Sequence, residues 1–317
     1  MEKTIISTGK TIDAATEAAL ERLGLDRDSV SVEVLETPRS GFFGIGATPA
    51  KIKVTYEAPD EPEQAAPAPA PLSPARIYVP LELLTGRNAL PAFSGEWCAV
   101  LPRVWKDRDE PQLKSWLAHA QTLGVTAALA GNIGHLSLLR DTGLIVRGDY
   151  GLNVFNSRAL NYLRQKGLSS ACLSFELRFP QLRDIQKVIP AEAIVYGRLP
   201  LMITENCLVQ NETGCRLSEA GAVVPEQAPC RWPNELQDRT GAKFPLLPAY
   251  GHRTEIQNSA PVWLADKPEW KRCGLAYARL RFTTEAPAEC ADIFRAYQTG
   301  APASGPFTRG LYYRGVD

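Results

Sequence analysis

The chain has 317 residues, of which 44% are hydrophobic and 22% charged, ordinary globular proportions that exclude a wholly disordered or fibrous protein. Its 35 basic residues balance 35 acidic ones, so no overall field attracts it to nucleic acid or membrane, and any RNA contact must be local. No stretch approaches the roughly 20 consecutive apolar residues of a membrane helix, and the first residues lack the apolar core of a signal peptide, so we expect a cytoplasmic protein without membrane contact.

The first 57 residues predict a small mixed domain. Apolar residues recur at helical spacing over residues 11–23, and Gly24 follows where the helix would end. Residues 30–34 and 52–56 alternate between apolar and polar side chains, which is typical of half-buried strands. With a further edge strand at residues 3–7, the predicted order of elements is βαββ.

A glycine-rich segment, SGFFGIGATP at residues 40–49, separates the two predicted strands. Its glycine spacing is not that of a dinucleotide site, so we interpret it as a hairpin. Together, TGKTIDAATEAALERLG and VEVLETPRSGFFGIGATPAKIKV resemble the Jag N-terminal domain over almost all of residues 3–56. That module commonly precedes RNA-binding domains, yet nothing later in the chain resembles them. Residues 1–57 carry a net charge of minus two, which favours a docking module over one that grips phosphates.

A linker is predicted at residues 58–75, which contain six prolines and six alanines but neither Lys nor Arg. Such a composition cannot bury a core and favours extended polyproline conformations. The predicted domains are therefore residues 1–57 and 76–317. The second domain carries a net charge of plus five, which permits RNA binding there without requiring it.

Apolar strands alternate with amphipathic helices over residues 76–205, which predicts a mostly parallel sheet covered by helices. A complete eightfold β/α barrel takes about 250 residues, so this stretch suffices for five or six βα units. Loops rich in Cys, Gly and Pro follow, then strands near 262–265 and 275–282 and a helix over 286–298. We therefore predict an α/β protein: a small βαββ domain, a Pro/Ala linker, and a partial TIM-like barrel with a cysteine-containing β+α extension.

The loops after the predicted barrel strands contain a candidate metal site formed by Cys207, Cys215, Cys230 and His252. Flexible loops bring several soft thiolate ligands to one point, as an iron–sulfur cluster needs. Three Cys and one His also suit tetrahedral zinc, and the spacing alone equally allows ordinary thiols. Cys273, beside two basic residues, is a reserve fourth ligand.

Polar side chains follow the predicted barrel strands at their carboxyl ends, where β/α barrels place their active sites. They are Arg103, Asn132, Asp149, Asn153, Asn156, Glu176, Arg198 and Glu205. Our catalytic candidates are Glu176, Arg198, Asp149 and Asn153. Asp149, Asn153 and Asn156 equally suit turns or helix caps. Glu176 and Arg198 equally suit a mutual salt bridge.

A second resemblance extends over most of residues 76–317. It is carried by the ordered blocks GDYGLNVFNSRALNYL, EAIVYGRLPLMITENC, DRTGAKFPLL and FTRGLYYRG, which are similar to the C-terminal part of peptidase family U32, the collagenase-like peptidases. The family pattern is matched here by Glu192, Gly197, Cys207 and Cys215. Cys230 matches the third of four cluster cysteines in relatives, and His252 occupies the position of the fourth. The resemblance implies a [4Fe-4S] cluster, with zinc as the alternative, and a longer parent barrel.

The resemblance to this family also implies the kind of reaction that the protein catalyses. Several members are linked to hydroxylation of a tRNA uridine, an rRNA cytidine or a quinone precursor, whereas the family name implies a metal-dependent peptidase. Machinery for proteolysis is not evident, because the chain has three histidines and no HExxH motif. We therefore expect an RNA-modifying enzyme that contacts tRNA or rRNA. The alternatives are a metal-dependent peptidase and a non-catalytic scaffold that completes the barrel of a protein partner or homodimer.

Overall fold

The computed structural model describes residues 2–23, 25–27, 30–38, 48–57, 73–216, 228–231 and 233–314. The chain divides into two compact units, residues 1–71 and 72–317. Most of the predicted linker, residues 58–72, and most of the predicted glycine-rich hairpin, residues 39–47, lie outside the described residues. In the part that the structure describes, no helix is long and apolar enough to cross a membrane.

The first unit has the predicted βαββ order. Its elements are β1 (Glu2–Gly9), α1 (Ile12–Leu23), β2 (Val30–Glu36) and β3 (Ala50–Glu57). β3 lies between β1 and β2, and both pairings are antiparallel. Thr11 begins the helix, because its hydroxyl accepts a hydrogen bond from a backbone amide of the first turn at 3.1 Å. Ala15 and Ala19 then pack with Ile52 and Val54 of the central strand.

The lysines of the central strand of this small sheet are paired with acidic residues across to β2. Lys51 Nζ lies 3.6 Å from Glu36, and Lys53 Nζ lies 3.5 Å from Glu33. Because each ammonium already faces a carboxylate, the net electrostatic attraction of these lysines for a phosphate is small. The pairing agrees with the net negative charge of this part of the sequence.

The second unit is built on a curled sheet of parallel strands. In order of pairing they are β4 (Arg76–Pro80), β5 (Glu96–Val100), β6 (Ala127–Ala130), β7 (Ile145–Gly148), β8 (Ser170–Cys172), β9 (Ala191–Gly197) and β15 (Tyr277–Arg281). Six of these strands lie within residues 76–205, which agrees with the five or six βα units that were predicted. A short strand, β14 (Val262–Trp263), pairs antiparallel with the end of β9. The sheet forms the predicted partial β/α barrel.

Helices follow the barrel strands and bury its outer face. They are α2 (Glu110–Thr122), α3 (His135–Leu139), α4 (Ser157–Gln165), α5 (Phe179–Asp184) and, after β15, α7 (Pro287–Thr299). Leu113 and Leu117 of α2 pack with Ala99 and Ala128 of the strands, and all four are almost fully buried. Small side chains on the strands allow this close approach of helix and sheet.

The sequence pattern predicts a strand at residues 152–155 and a helix over residues 181–189, and both differ from the structure. The apolar residues 152–155 do not form a strand, because Val154 makes a single bridge to Leu173 and a 3-10 turn precedes it. α5 begins and ends earlier than the predicted helix over 181–189. Pro180 occupies its first turn, where proline fits, and Ile185 adopts an extended conformation that places its side chain in the core.

A four-stranded antiparallel sheet was not predicted. Its strands are β10 (Pro200–Thr204), β11 (Asn234–Gln237), β12 (Lys243–Ala249) and β13 (Arg253–Gln257), paired in the order β10-β13-β12-β11. A short helix, α6 (Leu208–Thr213), follows β10. Two prolines within β12, Pro245 and Pro248, hide its strand pattern in the sequence, since proline cannot donate to a β-ladder.

Candidate functional site

The inner face of the barrel carries charged side chains near the amino ends of the strands. Arg147 donates from Nε and Nη2 to the two carboxylate oxygens of Glu96, at 2.6 Å each, and from Nη1 to Ser170 Oγ at 2.9 Å. Arg76 Nε lies 3.4 Å from the same carboxylate. The Arg76 guanidinium also lies 3.7 Å from the centroid of the Tyr277 ring. Side chains of β4 and β15, the two ends of the parallel run, therefore meet in the interior.

A second layer of charges lies further along the strands and centres on Arg279. Its guanidinium donates to Asp149 and to Glu192, and the Tyr78 hydroxyl donates to Glu192 Oε2 at 2.9 Å. Glu192 is 1% exposed and Arg279 is 8% exposed, so each ion depends on its partners for the solvation that water would otherwise give. Asp149, a predicted catalytic candidate, is thus held inside the barrel as a partner of Arg279.

A cavity of about 490 Å³ lies beyond the carboxyl ends of β5, β6 and β7. Its wall is mostly apolar. The residues that line it include Arg103, Asn132, Ile133, Leu152, Tyr162 and Ile203. The exposed guanidinium of Arg103 lies 5.5 Å from the centroid of the Tyr150 ring, and within the described residues it forms no ion pair. The cavity therefore offers one available cation in an apolar surrounding.

Asn132, a predicted strand-end residue, shapes the rim of this cavity. Its Nδ2 donates to the carbonyl of Arg103 at 3.3 Å, and its Oδ1 accepts a hydrogen bond from the amide of Gly134 at 2.8 Å. Two further glycines meet below the rim, where a Cβ atom on Gly151 would lie 2.4 Å from the carbonyl oxygen of Gly131. Only glycine permits this close approach of two backbone segments.

The other catalytic candidates do not converge on the cavity. Asn153 is exposed and ends a 3-10 turn with a φ of 49°, a left-handed conformation that asparagine tolerates. Arg198 donates from Nη1 to the carbonyls of Asn258, at 3.0 Å, and Ser259. Glu176 is half-buried, and the described residues contain no ion pair between Glu176 and Arg198. The mutual salt bridge considered for that pair is not formed. Asn156, in contrast, caps α4 as predicted.

Two cysteines of the predicted metal site lie in one small buried cluster. Cys207 and Cys230 are 8% and 9% exposed and pack with Val209 and Ala228. Burial is the main cause that raises the pKa of Cys230, and the thiols of Cys207 and Cys215 add to it. Soft thiols in this number suit an iron–sulfur cluster or zinc in their chemistry. As positioned, however, the described residues contain no group of three His, Cys, Asp or Glu side chains that could hold one ion.

The two candidates for a fourth ligand differ in position. His252 lies in the turn between β12 and β13 with a φ of 58°. Cys273, the reserve ligand, is 3% exposed and lies in the main core of the barrel. Its Sγ donates to the carbonyl of Glu269 at 3.3 Å. The two basic residues before it point outward from a short 3-10 helix, which turns Cys273 inward.

The cysteine cluster and the cavity are joined by a short piece of chain. Ile203 lines the cavity, and Cys207 immediately precedes α6. An extended chain spans at most about 3.6 Å per residue, so the Cα atoms of these two residues lie within about 14 Å. Between them, Glu205 accepts hydrogen bonds at 2.8 Å from Arg253 and from Lys106. These ion pairs fix the connection to β13 and to the loop after β5.

Two of the three histidines are poorly placed to act as general bases. His119 lies on the surface, and its Nε2 donates to the carbonyl of Arg87 at 3.0 Å. His135 is fully buried, with its ring centroid 5.9 Å from that of Trp105. Burial lowers the pKa of His135 to about 4, which keeps the ring neutral at pH 7 but out of contact with substrate.

Sequence reasoning did not identify Arg279 as a site residue, and it noted Glu192 only as a match to a family pattern. The strands that contain Glu192 and Arg279 each show a pattern in the sequence that indicates a buried charge. Glu192 is the single charge in an otherwise apolar strand, and in β15 the polar residues Tyr277, Arg279 and Arg281 occupy alternate positions. Alternate residues of a strand share one face, so β15 has a polar inner face that needs an acidic partner.

Comparison with known proteins agrees with both sequence resemblances. Residues 7–56 match the profile described as Jag N-terminus, and residues 96–296 match the profile described as Peptidase family U32. A 47-residue stretch is 43% identical to the RNA-binding protein KhpB of Lactiplantibacillus plantarum, and this covers 15% of the chain and 15% of that protein. No solved structure matches the chain.

Proposed function

We propose, from the premise that the chain belongs to peptidase family U32, that it hydroxylates a base of tRNA or rRNA and uses an iron–sulfur cluster to do so. The observation that carries the proposal is the packing of Cys207 and Cys230 in one buried cluster, on a segment that also lines, through Ile203, a cavity beyond the carboxyl ends of the barrel strands. Barrel enzymes place their chemistry at that end. RNA as the substrate class is supported by the first unit, which is similar to part of a protein named as RNA-binding.

The proposed cluster ligands are Cys207, Cys215, Cys230 and His252, and zinc on the same ligands is the alternative. An iron–sulfur cluster supplies electron transfer, at a potential that its ligands and its exposure to solvent set. The apolar packing around Cys207 and Cys230 would exclude water from the centre and so influence that potential. Zinc has no redox chemistry and would favour a structural or hydrolytic role.

The proposed reaction replaces a C–H bond of the base with C–OH. The oxygen atom comes from an oxygen-atom donor, so the base is oxidised by two electrons and the donor is reduced by two. The contribution of the chain itself lies in the cavity, where Arg103 would bind a phosphate or carboxylate group at the entrance.

Proteolysis is less well supported by the positions of the histidines. A serine or cysteine peptidase needs a base in hydrogen-bond contact with its nucleophile. His119 donates to a carbonyl, and His135 is fully enclosed. Buried Cys98 and Cys172 have a pKa raised by burial, which opposes formation of a nucleophilic thiolate.

Mass spectrometry of nucleosides from tRNA and rRNA tests the proposal in cells that carry or lack the gene. We expect one nucleoside that is heavier by a single oxygen atom only where the gene is present, and its loss in Cys207→Ala. Cys290→Ala is the matched control, because Cys290 lies half-buried on α7, outside the cysteine cluster, and should retain the modification. Identical nucleosides in both strains would contradict the proposal.

A further inference from the structure

α4 and Lys166, the residue that ends it, carry an exposed stripe of one aromatic and two basic side chains. Arg158, Tyr162 and Lys166 follow one another at intervals of four residues, which places them on one face of the helix at steps of about 6 Å along its axis. All three are exposed, and Tyr162 is 50% exposed. Tyr162 also lines the cavity that Arg103 lines. The stripe therefore leads to the entrance of the candidate site.

The charge of this stripe is not compensated locally. No Asp or Glu occurs in the sequence between Asp149 and Glu176. Within the described residues neither Arg158 nor Lys166 forms an ion pair, and Lys166 Nζ instead lies 5.2 Å from the centroid of the Tyr162 ring. Cations that lack counter-charges on an exposed helix attract polyanions.

We infer that the stripe of Arg158, Tyr162 and Lys166 binds single-stranded RNA, with an unpaired base stacked on Tyr162 and the neighbouring phosphates on the two cations. Single strands bind where aromatic rings alternate with cations, since every base has a face that stacks. An acidic peptide would use the cations but would not require the ring. This inference rests on the proposed function, because it names the surface that delivers a base to the cavity.

Binding of a short fluorescent RNA to the full chain, measured by anisotropy, tests the role of the ring. We expect Tyr162→Ala to weaken single-stranded binding about 5- to 150-fold, because loss of one stacked base has an effect of that size. Tyr162→Phe keeps the ring and should bind as the wild type does. Binding of the same sequence as a duplex should not change in Tyr162→Ala, because its bases are already stacked on one another.

The role of the cations is tested by the salt dependence of the same binding. Each phosphate contact to a single strand contributes about 0.7 to the slope of log affinity against log salt. Arg158→Ala with Lys166→Ala should therefore lower that slope by about 1.4. Arg239→Ala is the matched control, because Arg239 is exposed in the turn between β11 and β12, and it should leave the slope unchanged. Thermal unfolding of each variant confirms that it is folded.

Three results would overturn the inference: wild-type affinity in Tyr162→Ala, an unchanged slope in the double variant, or competition by polyglutamate as effective as that by RNA. The last result would identify the stripe as a surface for acidic protein. These binding measurements require neither metal nor turnover, so they are independent of the proposed reaction. A chain that binds RNA through the stripe but modifies no nucleoside would refute the proposed function alone.

Discussion

Arg279→Met is expected to destabilise the protein by about 3–5 kcal/mol, because breaking a buried ion pair leaves its partners charged and without water. Arg279 is the shared partner of Asp149 and Glu192 inside the barrel. Methionine fills much of the same volume but neutralises neither carboxylate. For a domain of this size, such a loss lowers the melting temperature by about 6–20 °C, which calorimetry or circular dichroism of the full chain would detect.

A matched control and a rescue distinguish this effect from a general loss of packing. Arg295→Met removes an arginine from α7 whose ion pair with Asp292, at 2.6 Å, is exposed, and it should cost less than about 1 kcal/mol. Adding Asp149→Asn and Glu192→Gln to Arg279→Met should restore part of the lost stability, because both uncompensated charges then disappear. Wild-type stability in Arg279→Met would contradict the buried ion network.

Gly197→Ala is expected to have a comparable effect through the backbone. Gly197 ends β9 with a φ of 123°, and a Cβ atom there would lie 2.1 Å from the carbonyl oxygen of Arg281 in the neighbouring strand. The side chain of Arg281 stabilises this region, because its Nη1 donates to the carbonyl oxygen of Arg198 and to Oε1 of Gln257, at 2.7 Å each. An alanine must therefore displace β15 as well as adopt a strained φ, at a cost of about 4 kcal/mol or more.

Gly124→Ala separates the two causes, because Gly124 has a φ of 91° but its Cβ would meet no atom within 4 Å. We expect this control to lose only about 1–2 kcal/mol, the cost of the backbone conformation itself. Urea unfolding of both variants gives the comparison. Equal losses in the two variants would show that the contact between β9 and β15 is not as close as described.

The parts of the fold that the sequence predicted are those that depend on local patterns. The helix over 11–23, the alternating strands around it, and the alternation of strands and helices through β9 follow from periodicity within each segment. The caps of α4 follow likewise from Asn156 and from Gly167, whose φ is 91°. Periodicity does not determine which strands pair, however, so it could not predict that β15 pairs with β9.

The antiparallel sheet and the charged interior could not be predicted because their stabilising contacts are distant in sequence. Glu192 and Arg279 are 87 residues apart, and Glu205 and Arg253 are 48 apart. Glu192 and Arg279 each suggest an exposed or catalytic charge when taken alone, and only the curled sheet makes them buried partners. Asp149 is both a cap and a buried partner, because its carboxylate accepts a hydrogen bond from the amide of Tyr150, as a cap does, and also pairs with Arg279.

The cysteines show a different limit. Their clustering after the last βα strand was visible in the sequence, whereas their convergence depends on α6, β12 and the 3-10 helix at Pro229–Arg231 packing together. In the sequence, Cys273 has charged neighbours like those of an exposed thiol. Only its position in the core excludes it as a ligand. Spacing therefore identifies candidate ligands, while packing decides among them.

The most direct test of the proposed iron–sulfur centre is the content of iron and acid-labile sulfide in the anaerobically purified full chain, together with its absorption spectrum. The same measurements are made on Cys207→Ala/Cys230→Ala and on Cys290→Ala. We expect iron and sulfide in matched amounts with broad visible absorption, retained in Cys290→Ala and lost in the double variant. Zinc alone, or no metal in the wild-type chain, would contradict the proposed iron–sulfur centre and with it the proposed hydroxylation.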